Sequence, residues 1–106
     1  MNQMSRSESG WFFFTNHFHV LLYIARNPDA QVRVVAEEVG LTERAAHRIL
    51  TDLAHGGYIT VTRNGRRNHY RVNPGTTLRH RAYQEVPLEP LLAIVNPRAK
   101  DIHPPT

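Results

Sequence analysis

The sequence predicts a mainly α domain that carries one small β-hairpin, an α+β fold built on a helix-turn-helix. Two observations carry this reading. Two amphipathic segments, Val32–Val39 and Glu43–His55, are separated only by Gly40, Leu41 and Thr42. Two β-rich runs follow between Tyr58 and Val72, around an Asn64-Gly65 step with arginines on both sides. Each signal is ordinary alone, and the order and spacing together point to the fold.

Taken in order, Met1 to Ser9 is polar and serine-rich, and is expected to be a flexible terminus. Trp11, Phe12, Phe13 and Phe14 come next, and four aromatics in a row cannot all face one small core. They are read either as a covering strand or turn, or as a subunit contact. Thr15 is placed to cap a helix from about Asn16 to Asn27, where Asn27-Pro28-Asp29 stops it. Val20, Ile24 and either Leu21 or Tyr23 repeat at helical spacing, with Phe18 and Leu22 widening the apolar surface.

The second helix, Val32 to Val39, has Val32, Val35, Ala36 and Val39 on one stripe. Gly40 suits its C-terminal end and allows a tight turn. Thr42 then caps the longer helix, and Gly56-Gly57 closes it. Between them, Ala45, Ala46, Ile49, Leu50 and Leu53 fall on one side, while Arg44, His47, Arg48 and Thr51 fall on the other. Such a face is often no more than a solvated surface. Two guanidiniums four residues apart near a helix N-terminus also suit guanine edges or phosphates in a major groove.

In the hairpin, Asn64-Gly65 predicts a two-residue type I′ turn that sets Arg63 opposite Arg66. Ile59, Val61, Tyr70 and Val72 then share one face, and Thr60, Thr62, Arg67, His69 and Arg71 the other. The tip gathers Arg63, Arg66 and Arg67 around Asn64. Beyond it, Asn73-Pro74-Gly75 reads as a turn and Leu78 to Arg81 as a basic linker, either touching a nucleic-acid backbone or, the favoured reading, merely solvated. Pro87 to Val95 reads as a short helix with Leu88, Leu91, Leu92 and Val95 on one stripe, either packed on Asn16–Asn27 of its own subunit or shared across a dimer. Three prolines make residues 96–106 an irregular tail. The expected organisation is therefore a flexible 1–9, a helix-turn-helix domain with its hairpin over 10–75, a linker and helix over 76–95, and the tail.

Charge is distributed unevenly. The 106 residues carry a formal charge of +4. Thr42 to Ala82 holds eight arginines against Glu43 and Asp52, a net +6, while the remainder sums to −2. Such a block is an electrostatic footprint for a polyanion. With no cysteine, disulfides, zinc ribbons and thiol switches are excluded. His17 and His19, two apart on a helix, do not converge on one metal ion. No nucleophile elbow, phosphate loop or paired-carboxylate arrangement is present, so neither an enzyme nor a cofactor is expected. The apolar runs are too short to span a bilayer, and a cytoplasmic protein is expected.

The stretch VRVVAEEVGLTERAAHRILTDLAHGGYITVTRNGRRNHYRV, Val32 to Val72, resembles the winged helix-turn-helix of small bacterial transcriptional regulators in the broad MarR-like and ArsR-like group. The likeness extends upstream through TNHFHVLLYIARNP. It implies a sequence-specific regulator that binds double-stranded DNA, with residues 43–55 as recognition helix in the major groove and a wing over about 62–69 on the backbone or minor groove. The matching DNA-binding positions are Thr42, Arg44, His47, Arg48, Thr51, Arg63, Asn64, Arg66 and Arg67. The other function this fold serves is a protein- or RNA-interaction module without specific DNA binding. A homodimer is expected, because one module offers a single recognition helix. Trp11, Phe12, Phe13, Leu88, Leu91, Leu92 and Val95 supply the apolar surface left for its interface. A small-molecule effector, if there is one, is expected near the aromatic segment or the last helix.

Overall fold

A computed structural model describes residues 14–79, 81–82 and 86–95. The flexible terminus predicted for 1–9, the aromatics Trp11, Phe12 and Phe13, His80 and the tail 96–106 lie outside the described residues. The elements are α1 (Asn16–Arg26), α2 (Val32–Val39), α3 (Glu43–His55), β1 (Ile59–Asn64), β2 (Arg67–Val72) and α4 (Leu88–Val95). They form an α+β winged helix fold, as the sequence predicts.

The helix ends follow from local chemistry. Thr15 Oγ1 accepts from the Phe18 amide at 3.4 Å, and Thr42 Oγ1 accepts from the Ala45 amide at 3.0 Å. Each hydroxyl satisfies an amide that has no carbonyl partner in its own helix. Gly40 ends α2 with a φ of 89°. Its amide and that of Leu41 both donate to the Ala36 carbonyl at 2.8 Å, which fixes the tight turn into α3. The α3 C-terminus is a Schellman closure. Gly57 has a φ of 82°, its amide donates to Ala54 and the Tyr58 amide donates to Leu53.

One core serves the domain. Val20, Leu21 and Ile24 come from α1, and Val35 and Ala36 from α2. Ala46, Ile49, Leu50 and Leu53 come from α3, Ile59 and Tyr70 from the hairpin, and Leu88 and Leu92 from α4. On α1 it is Leu21 and not Tyr23 that is buried. Leu88 and Leu92 correct an expectation. Of the two readings of this helix, the subunit contact is the one preferred for them, yet at 2% and 8% exposure they pack in the core of their own chain. The outward side of α4 carries Ile94, 75% exposed, beside the half-buried Leu91 and Val95.

The hairpin register also differs from expectation. Asn64 pairs with Arg67, Arg63 with Asn68 and Val61 with Tyr70, so the tip residues are Gly65-Arg66. Two physical causes favour this register. Pairing Arg63 with Arg66 would set like charges directly opposite, which destabilises a ladder. Gly65 takes a positive φ of 68° and Arg66 does not, and a glycine at the first central position suits a type II′ turn. A slip of two residues preserves which side chains share a face, so that part of the reading stands. Val61, however, is 40% exposed, because the outer half of the hairpin runs past the helices.

After the wing, the chain turns back along its base. The Asn73 side chain accepts from Thr60 Oγ1 at 2.8 Å and donates to the Gly57 carbonyl at 2.9 Å. Tyr58 donates its hydroxyl to the Thr77 carbonyl at 2.8 Å. Arg79 is exposed, and its guanidinium also lies 4.8 Å from the centre of the Tyr58 ring, a cation–π contact.

Gly40 offers a clean test of the turn. An added Cβ there meets nothing within 4 Å, so the cost of Gly40→Ala comes from the left-handed backbone alone. Urea denaturation should show a loss of about 1 kcal/mol, with a smaller loss for Gly40→Asn. A loss several times larger would mean that the turn has no room for a side chain.

Candidate nucleic-acid interface

The amphipathic split of α3 decides what the helix shows to solvent. Ala46 is fully buried, and Ile49, Leu50 and Leu53 are each under 10% exposed. The opposite face therefore turns outward. Arg44, His47, Arg48 and Thr51 are all exposed, and with Thr42 and Ala45 they line one shallow open depression. Five of the nine residues assigned to DNA binding are thus brought together on one continuous surface at the N-terminal end and middle of the helix.

The other four sit on the hairpin. Arg63, Asn64, Arg66 and Arg67 are all exposed at or beside the tip, and they do not line the α3 depression. Arg63 Nε donates to the Gly65 carbonyl at 3.2 Å, which leaves the rest of its guanidinium free to bind elsewhere. Among the described residues, neither Arg44, Arg48, Arg63, Arg66 nor Arg67 has a carboxylate within ion-pair distance. The Arg–carboxylate pair that does form joins Arg33 and Glu37 at 4.0 Å on α2.

Glu43 stands exposed in the first turn of α3, while two other acidic side chains, Asp52 and Asp29, are engaged by histidines. Asp52 Oδ2 is 2.9 Å from His17 Nε2 of α1. Asp29 Oδ1, in the α1–α2 loop, is 2.8 Å from His69 Nδ1 of β2. A carboxylate can only accept, so in each pair the imidazole nitrogen is the donor. Sequence reasoning missed both pairs, which span 35 and 40 residues. The strand alternation did put His69 on the polar face, but nothing local points from there to Asp29.

Thr42 is already occupied by its cap, since its oxygen accepts from Ala45. Thr51 Oγ1 donates to the His47 carbonyl at 3.0 Å and keeps only its acceptor capacity for an outside partner. Among the described residues, no group of three or more His, Cys, Asp or Glu could hold a metal ion. No helix among them is long and apolar enough to cross a membrane.

A helix-turn-helix followed by a two-stranded wing is the winged-helix fold. The sequence matches the MarR family over residues 15–67, half of the chain, and the protein belongs to that family. The match takes in α1, α2, α3, β1 and the hairpin tip. Among curated proteins, none matches the chain. The MarR family is one of regulators and not of enzymes.

Thr42 separates two roles that one residue can hold. Thr42→Ala should lower stability by about 1 kcal/mol in urea denaturation, and Thr42→Ser should be nearly neutral. Unchanged stability in the alanine variant would mean that the cap contributes nothing to the folded state.

Proposed function

We propose that the protein is a sequence-specific DNA-binding transcriptional regulator that reads the major groove with α3 and grips the backbone or minor groove with the wing. The observation that carries this is the exposed α3 face, where Arg44 and Arg48 stand four residues apart with no carboxylate partner among the described residues. An arginine fork matches the O6 and N7 edge of guanine. A module that binds protein would be expected to show a large apolar side chain on this face, and none of the exposed large apolar residues lies on α3. DNA binding of this kind implies a cytoplasmic site of action.

The proposed active form is a homodimer. A single winged helix buries only about 600–1,000 Å² on DNA, and a two-fold pair doubles the contacts and sets a half-site spacing. Ile94, 75% exposed on the outward side of α4 beside the half-buried Leu91, supports an interface there. Ile94→Glu in the full chain should halve the mass seen in sedimentation while leaving the fold intact. Truncation before α4 is a poor test, because it also removes Leu88 and Leu92 from the core. A monomeric wild type at micromolar concentration would exclude the dimer.

Selection of bound duplexes from a random pool tests DNA reading and operator symmetry together. On the selected duplex, Arg44→Ala and Arg48→Ala should each weaken binding by about 1–3 kcal/mol, with much smaller losses on random DNA. Equal losses on both would make them phosphate contacts. Arg66→Ala and Arg67→Ala should weaken binding to all duplexes and flatten the salt dependence by about one unit per lost phosphate contact. An unchanged slope would mean that the wing does not touch DNA.

A further inference from the structure

The wing has little to hold its outer half in place. Ile59 and Tyr70 are buried at its base, but Val61 is exposed and every residue from Thr60 to Arg67 is open to solvent. Its direction therefore depends on what grips the base. On the β1 side the hairpin is joined to the body by chain continuity through Tyr58 and Gly57, and by the Asn73 side chain, which accepts from Thr60 and donates to the Gly57 carbonyl. On the β2 side it is held by two contacts from adjacent residues of the α1–α2 loop. The Tyr70 amide, which points away from β1, donates to the Pro28 carbonyl at 2.8 Å. One residue along on each partner, His69 Nδ1 lies 2.8 Å from Asp29 Oδ1. A backbone bond and a side-chain bond thus form a two-point clamp on the free edge of β2.

We infer that Asp29 and His69 are positioning residues for the wing: the clamp aims Arg66 and Arg67, and Asp29 promotes nucleic-acid binding although it is acidic. The inference rests on the wing contact proposed above. His69 lies two residues from Arg67 and shares its face of the strand, so the clamp sits about 7 Å along the strand from the first cation of the tip. Arg71 shares the same face on the other side of His69. A carboxylate set against a cationic strand face that meets a polyanion is unfavourable by simple charge arithmetic. Simple repulsion and positioning therefore predict opposite signs for its removal.

The side chains are 45% exposed for His69 and 66% exposed for Asp29, so neither belongs to the core. Their replacement leaves the packing of Ile59 and Tyr70 in place. The expected change is in where the tip points and not in whether the domain folds.

The test uses the full chain and a random-sequence DNA duplex, with affinity measured over a salt series. Asp29→Ala should weaken binding about two- to fivefold, the range of one exposed pair, and flatten the salt slope, with an unchanged circular dichroism spectrum. His69→Ala should do the same, and the double variant should lose no more than either single one. Asp29→Asn keeps an acceptor for His69 and removes the charge, so it should bind as well as wild type or more tightly. In an Arg66→Ala/Arg67→Ala background, Asp29→Ala should have no further effect. Binding by Asp29→Ala at or above the wild-type level, or a loss that persists without the two arginines, overturns the inference. If the arginine pair matters and Asp29→Ala does not, the positioning role alone fails. If the arginine pair itself changes nothing, the wing contact fails and the positioning role with it.

Discussion

Burial of one side of α3 is the constraint on which the rest depends. Ala46 has no exposed surface, and Ile49, Leu50 and Leu53 pack into the core shared by α1, α2 and the hairpin. Burying side chains of this size stabilises by roughly 1.5–3 kcal/mol each for the three larger ones. Rotating α3 about its axis would expose them and draw Arg44 and Arg48 toward an apolar interior without partners. Ala46 adds a geometric condition, since a residue this small lets α3 approach its neighbours closely at the crossing. The outward arginine face is thus a consequence of core packing, and no interaction on that face is needed to hold it.

The wing obeys a different logic. It contributes Ile59 and Tyr70 to the core and leaves its outer half in water. A two-stranded ribbon is marginal on its own and carries two unpaired edges. Here the loop after α1 meets the outer edge of β2 through Pro28, and the ladder is extended by one rung at the base, where Asn73 donates its amide to the Tyr58 carbonyl at 2.8 Å. On the β2 edge the loop does the work that a further strand would do in a larger sheet. Rigidity therefore grades from α3, fixed by burial, to the wing tip, fixed only through its base.

Legibility in the sequence follows the same gradient. The bounds of α3 could be read because stripe, cap and glycine agree, and the end of α2 because Gly40 stops it, whereas the start of α2 rested on its stripe alone, Gln31 making no side-chain cap bond. The arginine face was readable from periodicity alone. The hairpin faces were also readable, since the alternation survives any even slip, but the register was not. An Asn-Gly step favours one turn, and like-charge opposition of Arg63 and Arg66 together with the backbone of Gly65 favoured another. For Leu88 and Leu92 the choice between own core and subunit contact was not legible, because a stripe shows that a helix has an apolar side but not what covers it. The His17–Asp52 and His69–Asp29 pairs and the Arg79–Tyr58 contact were invisible, because each joins groups brought together only by the tertiary fold.

The register the wing adopts bears on its electrostatics. With Asn64 opposite Arg67, Arg63 opposite Asn68, Thr62 opposite His69 and Thr60 opposite Arg71, no arginine faces another across the ladder. The ladder thus spreads its cations, and the tip still concentrates Arg63, Arg66 and Arg67 within five residues. None of the three is neutralised by a carboxylate among the described residues. Mutual repulsion at the tip is tolerated because these side chains are exposed and water and salt screen them. A phosphate backbone laid against them would replace that repulsion with attraction and release its own counterions. A pairing that avoids cationic opposition along the strands while leaving the tip unneutralised serves both states, the free protein and the proposed complex. The same holds on α3, where Glu43 is the exception at the first turn and the acid further along, Asp52, is held by His17 of α1.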